Sequence, residues 1–168
     1  VMAVINTRIV HRSNTLVEDG YSQHFDYNEA MLTGKGIMGS SIAAGVGVGL
    51  GSFAMAAVIP PTRWAMERFI LPKPGEGPSL DAQEKGFYDL RFYGKTDSGQ
   101  EIRCTVTGDQ DPGYGSTAKM LGQAAACLAL DISKDKVAGG FWTPASIFGS
   151  KLISRLENHA GLTFELIE

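Results

Sequence analysis

Only two cysteines, Cys104 and Cys127, occur in 168 residues, and no Cys-x-x-Cys or Cys/His cluster surrounds them. That excludes a disulfide-stapled scaffold and a structural zinc site, and it fits a reducing, cytoplasmic compartment. An excess of either charge is also missing. Fifteen basic groups face 18 acidic ones, for a formal net charge of −3 without any run of like charges. No general field therefore draws the chain to nucleic acid or to an anionic membrane surface. No basic segment leads into an apolar one at the start, so no secretory leader is read there. With Val1 as first residue, a fragment or a processed product is the expectation. His11, His24 and His159 are scattered, with no cysteine or carboxylate at ligand spacing. Each reads as a surface histidine, and no metal is expected. G-x-S-x-G and HExxH patterns and internal repeats are absent as well.

What remains is enough to fold. The length suits about one domain, and Leu, Ile, Val and Phe make up about a quarter of the chain, which argues against wholesale disorder. Glycine is the outlier at 21 residues, roughly twice its usual ~7% share. Six of them lie in an uncharged stretch, residues 36–62, bounded by Lys35 and Arg63.

Along the chain, Ile5, Ile9, Ser13, Leu16 and Val17 recur at helical spacing, with Asn6 or Thr7 as a cap. Alternating Phe25 and Tyr27 predict a short strand over 25–31. Thr62 is placed to cap a helix over 62–71 with Ala65, Phe69 and Ile70 on one face. The Pro- and Gly-rich segment 72–79 is a loop, and Ser79 caps the turn after it. Residues 87–95 and 101–107 alternate apolar with polar around Thr96-Asp97-Ser98-Gly99, which predicts an antiparallel hairpin. A helix over 117–130 follows from the spacing of Met120, Leu121, Ala124, Cys127 and Leu128. Residues 139–144 read as a short buried strand stopped by Pro144, and 146–158 as a last helix ended by Gly161. Residues 162–167 alternate as a closing strand. The class implied is α+β: a small antiparallel or mixed sheet with helices packed on it, plus the apolar Gly-rich segment, all within one domain over 1–168.

Gly34-Lys35-Gly36-Ile37-Met38-Gly39 matches G-x-G-x-x-G. A nucleotide site needs a hydrophobic strand before it and an acidic residue about 20 positions on. Neither is present, so a glycine-rich turn is the reading. The stretch 36–62 is long enough to span a ~30 Å hydrocarbon core, and Gly45-x-x-x-Gly49 with Ser41, Ser52 and Ala56 makes a small-residue face. Its glycines and Pro60-Pro61 weaken a helix. A helix in a protein interface, a membrane-touching segment and a disordered loop all stay open.

Residues 109–119 join a strand end to a helix start, where unpaired N–H groups favour an anion or a developing oxyanion. Tyr114 and Lys119 are candidates to donate a proton or hold an enolate, and Asp111, Gly113, Ser116 and Thr117 to bind substrate. The plainer alternative is that Asp111 or Ser116 is only a cap and Tyr114 packs.

Several segments in the same order carry a resemblance: residues 6–14, Pro60-Pro61-Thr62-Arg63, Pro72-Lys73-Pro74-Gly75-Glu76-Gly77-Pro78-Ser79, Gly108-Asp109-Gln110-Asp111-Pro112-Gly113-Tyr114-Gly115-Ser116-Thr117-Ala118-Lys119, Gly139-Gly140-Phe141-Trp142-Thr143-Pro144 and 160–165. Together they make the chain resemble the C-terminal portion of saccharopine dehydrogenase-like oxidoreductases, including the trans-acting enoyl reductase group. The resemblance implies an N-terminal Rossmann domain, outside this chain, that binds NAD(P)H and is the main partner of these residues. It implies no cofactor held by this chain alone and no activity without that domain. It also implies a lipid-like or thioester substrate. A homodimer and a membrane or lipid surface are further expected partners, and nucleic acid is not. A non-catalytic membrane-associated or protein-interaction module is the alternative from a different class, with a cytoplasmic or membrane-associated location.

Overall fold

The alternating segments around Thr96–Gly99 form the hairpin that the pattern predicts. A computed structural model describes residues 2–18, 20–22, 24–135 and 137–167. In it β1 (Tyr88–Lys95) pairs antiparallel with β2 (Glu101–Gly108). Gly99 at the turn has φ +85°, a value that suits glycine because no Cβ opposes it. Strand β3 (Leu162–Ile167) then pairs antiparallel with β2, giving the order β1-β2-β3.

Register decides the two faces, because residues directly opposed in a ladder share one. Leu90 and Phe92, Cys104 and Val106, and Phe164 and Leu166 line the apolar face. Arg91, Tyr93, Arg103 and Thr105 line the other, where Arg91 pairs with Asp89 and the Arg103 guanidinium lies 5.9 Å from the Tyr93 ring centre.

The chain divides into two compact units: residues 1–27 with 78–168, and residues 28–77. The first holds the sheet, α1 (Ala3–Leu16), α4 (Leu80–Lys85), α5 (Gly115–Leu130), α6 (Pro144–Phe148) and α7 (Ser150–His159). Its core is Leu156, Ala160 and Leu162, packed with Val106, Met120, Leu152 and Phe164. Only part of the apolar sheet face is covered, and Leu90, Phe92, Ile102 and Leu166 stay exposed. A buried polar contact docks α1: Ser13 Oγ donates to the Ile9 carbonyl and is hydrogen-bonded to Thr143 Oγ1 at 2.7 Å. Thr143 in turn forms a capping box with Ser146 at the start of α6.

The second unit is α2 (Gly36–Val58) followed at once by α3 (Pro60–Phe69). The uncharged stretch is thus a helix. Pro60 and Pro61 occupy the first turn of α3, where a missing N–H costs nothing. Thr62 is therefore inside α3 and not its cap. Its hydroxyl donates to the Ala56 and Ile59 carbonyls. Met66 is buried, whereas Phe69 and Ile70 are exposed, so the covered side of α3 is not the predicted one.

Four further expectations change. Helix α1 begins at Ala3 with Met2 at the cap position, so neither Asn6 nor Thr7 caps it. Residues 25–31 form no strand. Phe25 meets the rings of Tyr21 and His11 instead, which satisfies its apolar surface without a ladder. Residues 139–143 form no strand either, and Phe141 is 94% exposed. Two glycines leave that backbone free, and Thr143 is committed to capping. The last helix is two, α6 and α7, divided at Gly149 with φ +53° and ψ −137°, a conformation that side chains exclude. Ser79 accepts from the Ala82 N–H as predicted, and Gly161, at φ +71°, turns the chain from α7 into β3.

Candidate functional site

Residues 109–114 form a tight turn between β2 and α5, and residues 115–119 are the start of α5. Pro112 and Gly113 bend the chain back so that Asp111 faces the helix start. Its carboxylate accepts the N–H groups of Gly113 (2.9 Å), Tyr114 (3.0 Å) and Gly115 (2.6 Å). Those hydrogen bonds, Gly115's first, hold Asp111 below the usual carboxylate range against its partial burial. The groups that an incoming anion would use are therefore already taken by the protein's own carboxylate. The Asp111 carbonyl accepts from Ser116 N, and its N–H donates to the Gln83 carbonyl, tying the turn to α4.

Ser116 is fully buried, and its Oγ lies 2.9 Å from the Tyr88 hydroxyl. Tyr88 reaches it by lying over Gly108, its partner across the ladder. Thr117 Oγ1 donates to the Pro112 carbonyl. Lys119 Nζ is paired with Asp109 at 3.0 and 3.2 Å. Tyr114 is different. Its side chain is exposed, and no hydrogen bond to its hydroxyl forms among the described residues. All six predicted residues thus lie in this turn and the first turns of α5. Asp111, Gly113, Ser116 and Thr117 are engaged in shaping it, Lys119 sits in an ion pair, and Tyr114 presents an available donor to solvent.

Two other features had no sequence signal. At the end of α5, Asp131 accepts from Arg155 Nε and, at 3.2 Å, from Arg155 Nη2, while Lys151 Nζ donates to the Asp131 carbonyl at 2.6 Å. Arg155 holds Asp131 below the usual carboxylate range, and burial pushes the nearby Cys127 thiol up. Asp131, Lys151 and Arg155 border an open depression of about 590 Å³ with Ser150, Asn158 and His159. They converge from positions about 20 residues apart, which no motif anticipates. An apolar cleft of about 490 Å³ lies beside it, lined by Leu128, Ile132, Val137, Trp142, Ile147 and Phe148. Among the described residues no group of His, Cys, Asp and Glu is placed to hold a metal ion.

The chain is similar to Mycobacterium proteins named trans-acting enoyl reductase. It is 39% identical over 162 residues to one from Mycobacterium tuberculosis and to one from Mycobacterium bovis, and 37% identical over 162 residues to one from Mycobacterium ulcerans. Each match covers 93% of this chain and 38% of the relative, so the chain spans well under half the length of the curated relatives it matches. No protein-family model matches it, and no solved structure matches it significantly.

Proposed function

We propose that this chain is the C-terminal, substrate-side and interface portion of an NAD(P)H-dependent enoyl reductase of the saccharopine dehydrogenase-like type. The observation that carries the reading is the similarity to proteins named trans-acting enoyl reductase along 93% of the chain. Two structural features support it. The first is the half-covered apolar sheet face, with Leu90, Phe92, Ile102 and Leu166 exposed, which gives a dinucleotide-binding domain a surface to pack on. The second is the hydrogen-bonded turn before α5, which presents Tyr114.

The Gly34–Gly39 segment does not fit a dinucleotide. The segment before Gly34-Lys35-Gly36-Ile37-Met38-Gly39 contains no strand, and the space a nucleotide backbone approach needs at Gly39 is filled by the Gly34 carbonyl, 2.4 Å from where a Cβ would stand. On this reading the nicotinamide is held by the Rossmann portion expected outside this chain, and no hydride step is assigned here.

This portion acts at the other end of the reacting group. Reduction of an enoyl thioester moves negative charge onto the carbonyl oxygen, and a fixed donor there lowers the barrier. Tyr114 donates that hydrogen bond. Lys119, five residues on and paired with Asp109, is the second candidate of the same segment. Asp111, Gly113, Ser116 and Thr117 hold the backbone that aims Tyr114, so their part in substrate binding is positional. The substrate expected on this reading is a lipid-like or thioester acyl group.

Tyr114→Phe in the full-length protein tests the reading, with NADPH oxidation by an enoyl thioester as the assay. A loss in kcat of about 10²-fold is expected for one oxyanion donor, and turnover within about twofold of wild type rejects the role. The domain claim has its own test. The native protein is expected to have roughly two to three times the 18.0 kDa of this chain, and a native mass equal to the chain rejects it.

A further inference from the structure

Helix α2 has a demand that its own unit does not meet. Of its 23 residues only Gly39 is buried, and none is charged. Ile37, Ile42, Val48, Leu50, Phe53 and Val58 are all exposed. A helix apolar on every side is stable only when apolar matter surrounds it. At 1.5 Å per residue α2 runs about 35 Å, slightly more than a bilayer's ~30 Å hydrocarbon core. Charge is confined to its ends: Lys35 stands before it, and Arg63, Glu67 and Arg68 stand on α3 after it. On α3 the exposed Trp64 and Phe69 rings meet edge to face at 6.0 Å. Aromatic rings beside basic side chains suit the headgroup boundary.

Length alone would let α2 cross a bilayer, but the connectivity does not. Residues 1–27 and 78–168 are one folded unit, joined by the Ser13–Thr143 contact. The chain leaves that unit for α2 and must return to it by residue 78. Were α2 to cross, α3 and residues 70–77 would have to cross back. That route carries Arg63, Glu67, Arg68, Lys73 and Glu76, which hydrocarbon excludes. Residues 70–77 are not helical, and hydrocarbon cannot satisfy their backbone groups.

We propose that residues 36–69 insert into one leaflet of a lipid bilayer without crossing it. Helix α2 lies among the acyl chains, and α3 lies at headgroup level with Trp64 and Phe69 as anchors. Arg63 and Arg68 face anionic headgroups. A helix 10–12 Å across fits within a leaflet about 15 Å deep, half the core. The inference is independent of the hydride chemistry.

The test uses the whole chain with vesicles of phosphatidylcholine, with and without phosphatidylglycerol. Flotation is expected with both and stronger with the anionic lipid. Val48→Asp, at an exposed site where the free chain loses no packing, is expected to reduce flotation at least tenfold, and Phe141→Asp in the other unit to leave it unchanged. Topology is read in a Cys104→Ser background with Lys35→Cys or Glu67→Cys and a membrane-impermeant maleimide. Labelling of both from outside supports the one-leaflet placement. Protection of Glu67→Cys until detergent is added overturns it in favour of a spanning helix. Absence of flotation overturns it too, and if it comes with a dimer that Val48→Asp dissociates, the surface is assigned to a second copy.

Discussion

Gly108→Ala probes the joint that holds the 109–119 turn against the sheet. An added Cβ at Gly108 would stand 2.2 Å from Cε1 and Cζ of Tyr88 and 2.5 Å from its hydroxyl. The backbone there is paired with β1 and β3, so the ring must move. Displacing it breaks the 2.9 Å contact between the Tyr88 hydroxyl and the buried Ser116 Oγ. Crowding of this kind costs about 1–3 kcal/mol, and a buried hydroxyl left without its partner about 1–3 more. The expected destabilisation is about 2–6 kcal/mol. Tyr88→Phe keeps the ring and removes the hydroxyl, so only the second part, about 1–3 kcal/mol, is expected. Tyr88→Leu removes both the hydroxyl and the atoms that clash, so the Gly108→Ala/Tyr88→Leu double variant should cost less than the sum of its singles. Urea unfolding followed by far-UV circular dichroism measures all four proteins. A Gly108→Ala midpoint equal to wild type, or strictly additive costs in the double variant, would refute the reasoning.

Leu156→Ala removes the centre of the core cluster and is expected to cost about 2–5 kcal/mol in the same assay. A loss under about 1 kcal/mol would mean that α7 is not held by this core. The hydrogen bonds that lower the Asp111 pKa make its contribution pH-dependent. Because the folded value lies below the unfolded ~3.9, the stabilisation is complete above that value and is lost as pH falls through the folded one. Acidification below about pH 4 should therefore destabilise wild type more than Asp111→Asn, and parallel urea midpoints across that range would contradict the cap. Burial raises the Cys127 pKa, and Cys104 is only half-buried. Ellman's reagent at neutral pH should label Cys104 first and Cys127 only on unfolding. Equal rates would show that α5 opens readily.

The hairpin, β3 and α5 were legible because their signals are local. Two-residue alternation, a glycine in the turn and i, i+3, i+4 spacing act within a dozen residues, and each element satisfies its own backbone or pairs with its neighbour. The strands expected at 25–31 and 139–144 had the alternation or apolar character but no free ladder to join. Phe25 found ring partners on other segments, and Thr143 became a cap. The turn at 109–119 was legible as a helix start. That Asp111 consumes its N–H groups was not, because this depends on how Pro112 and Gly113 fold the carboxylate back. Ser116 shows the same division: its place near the first turn of α5 follows from sequence, and its burial under Tyr88 follows from the register that sets Gly108 opposite that ring. Composition also marked residues 36–62 as uncharged and long enough to span hydrocarbon. Only the tertiary structure shows that both ends of the insertion return to one folded unit, and chain connectivity, not hydrophobicity, decides whether such a helix can cross.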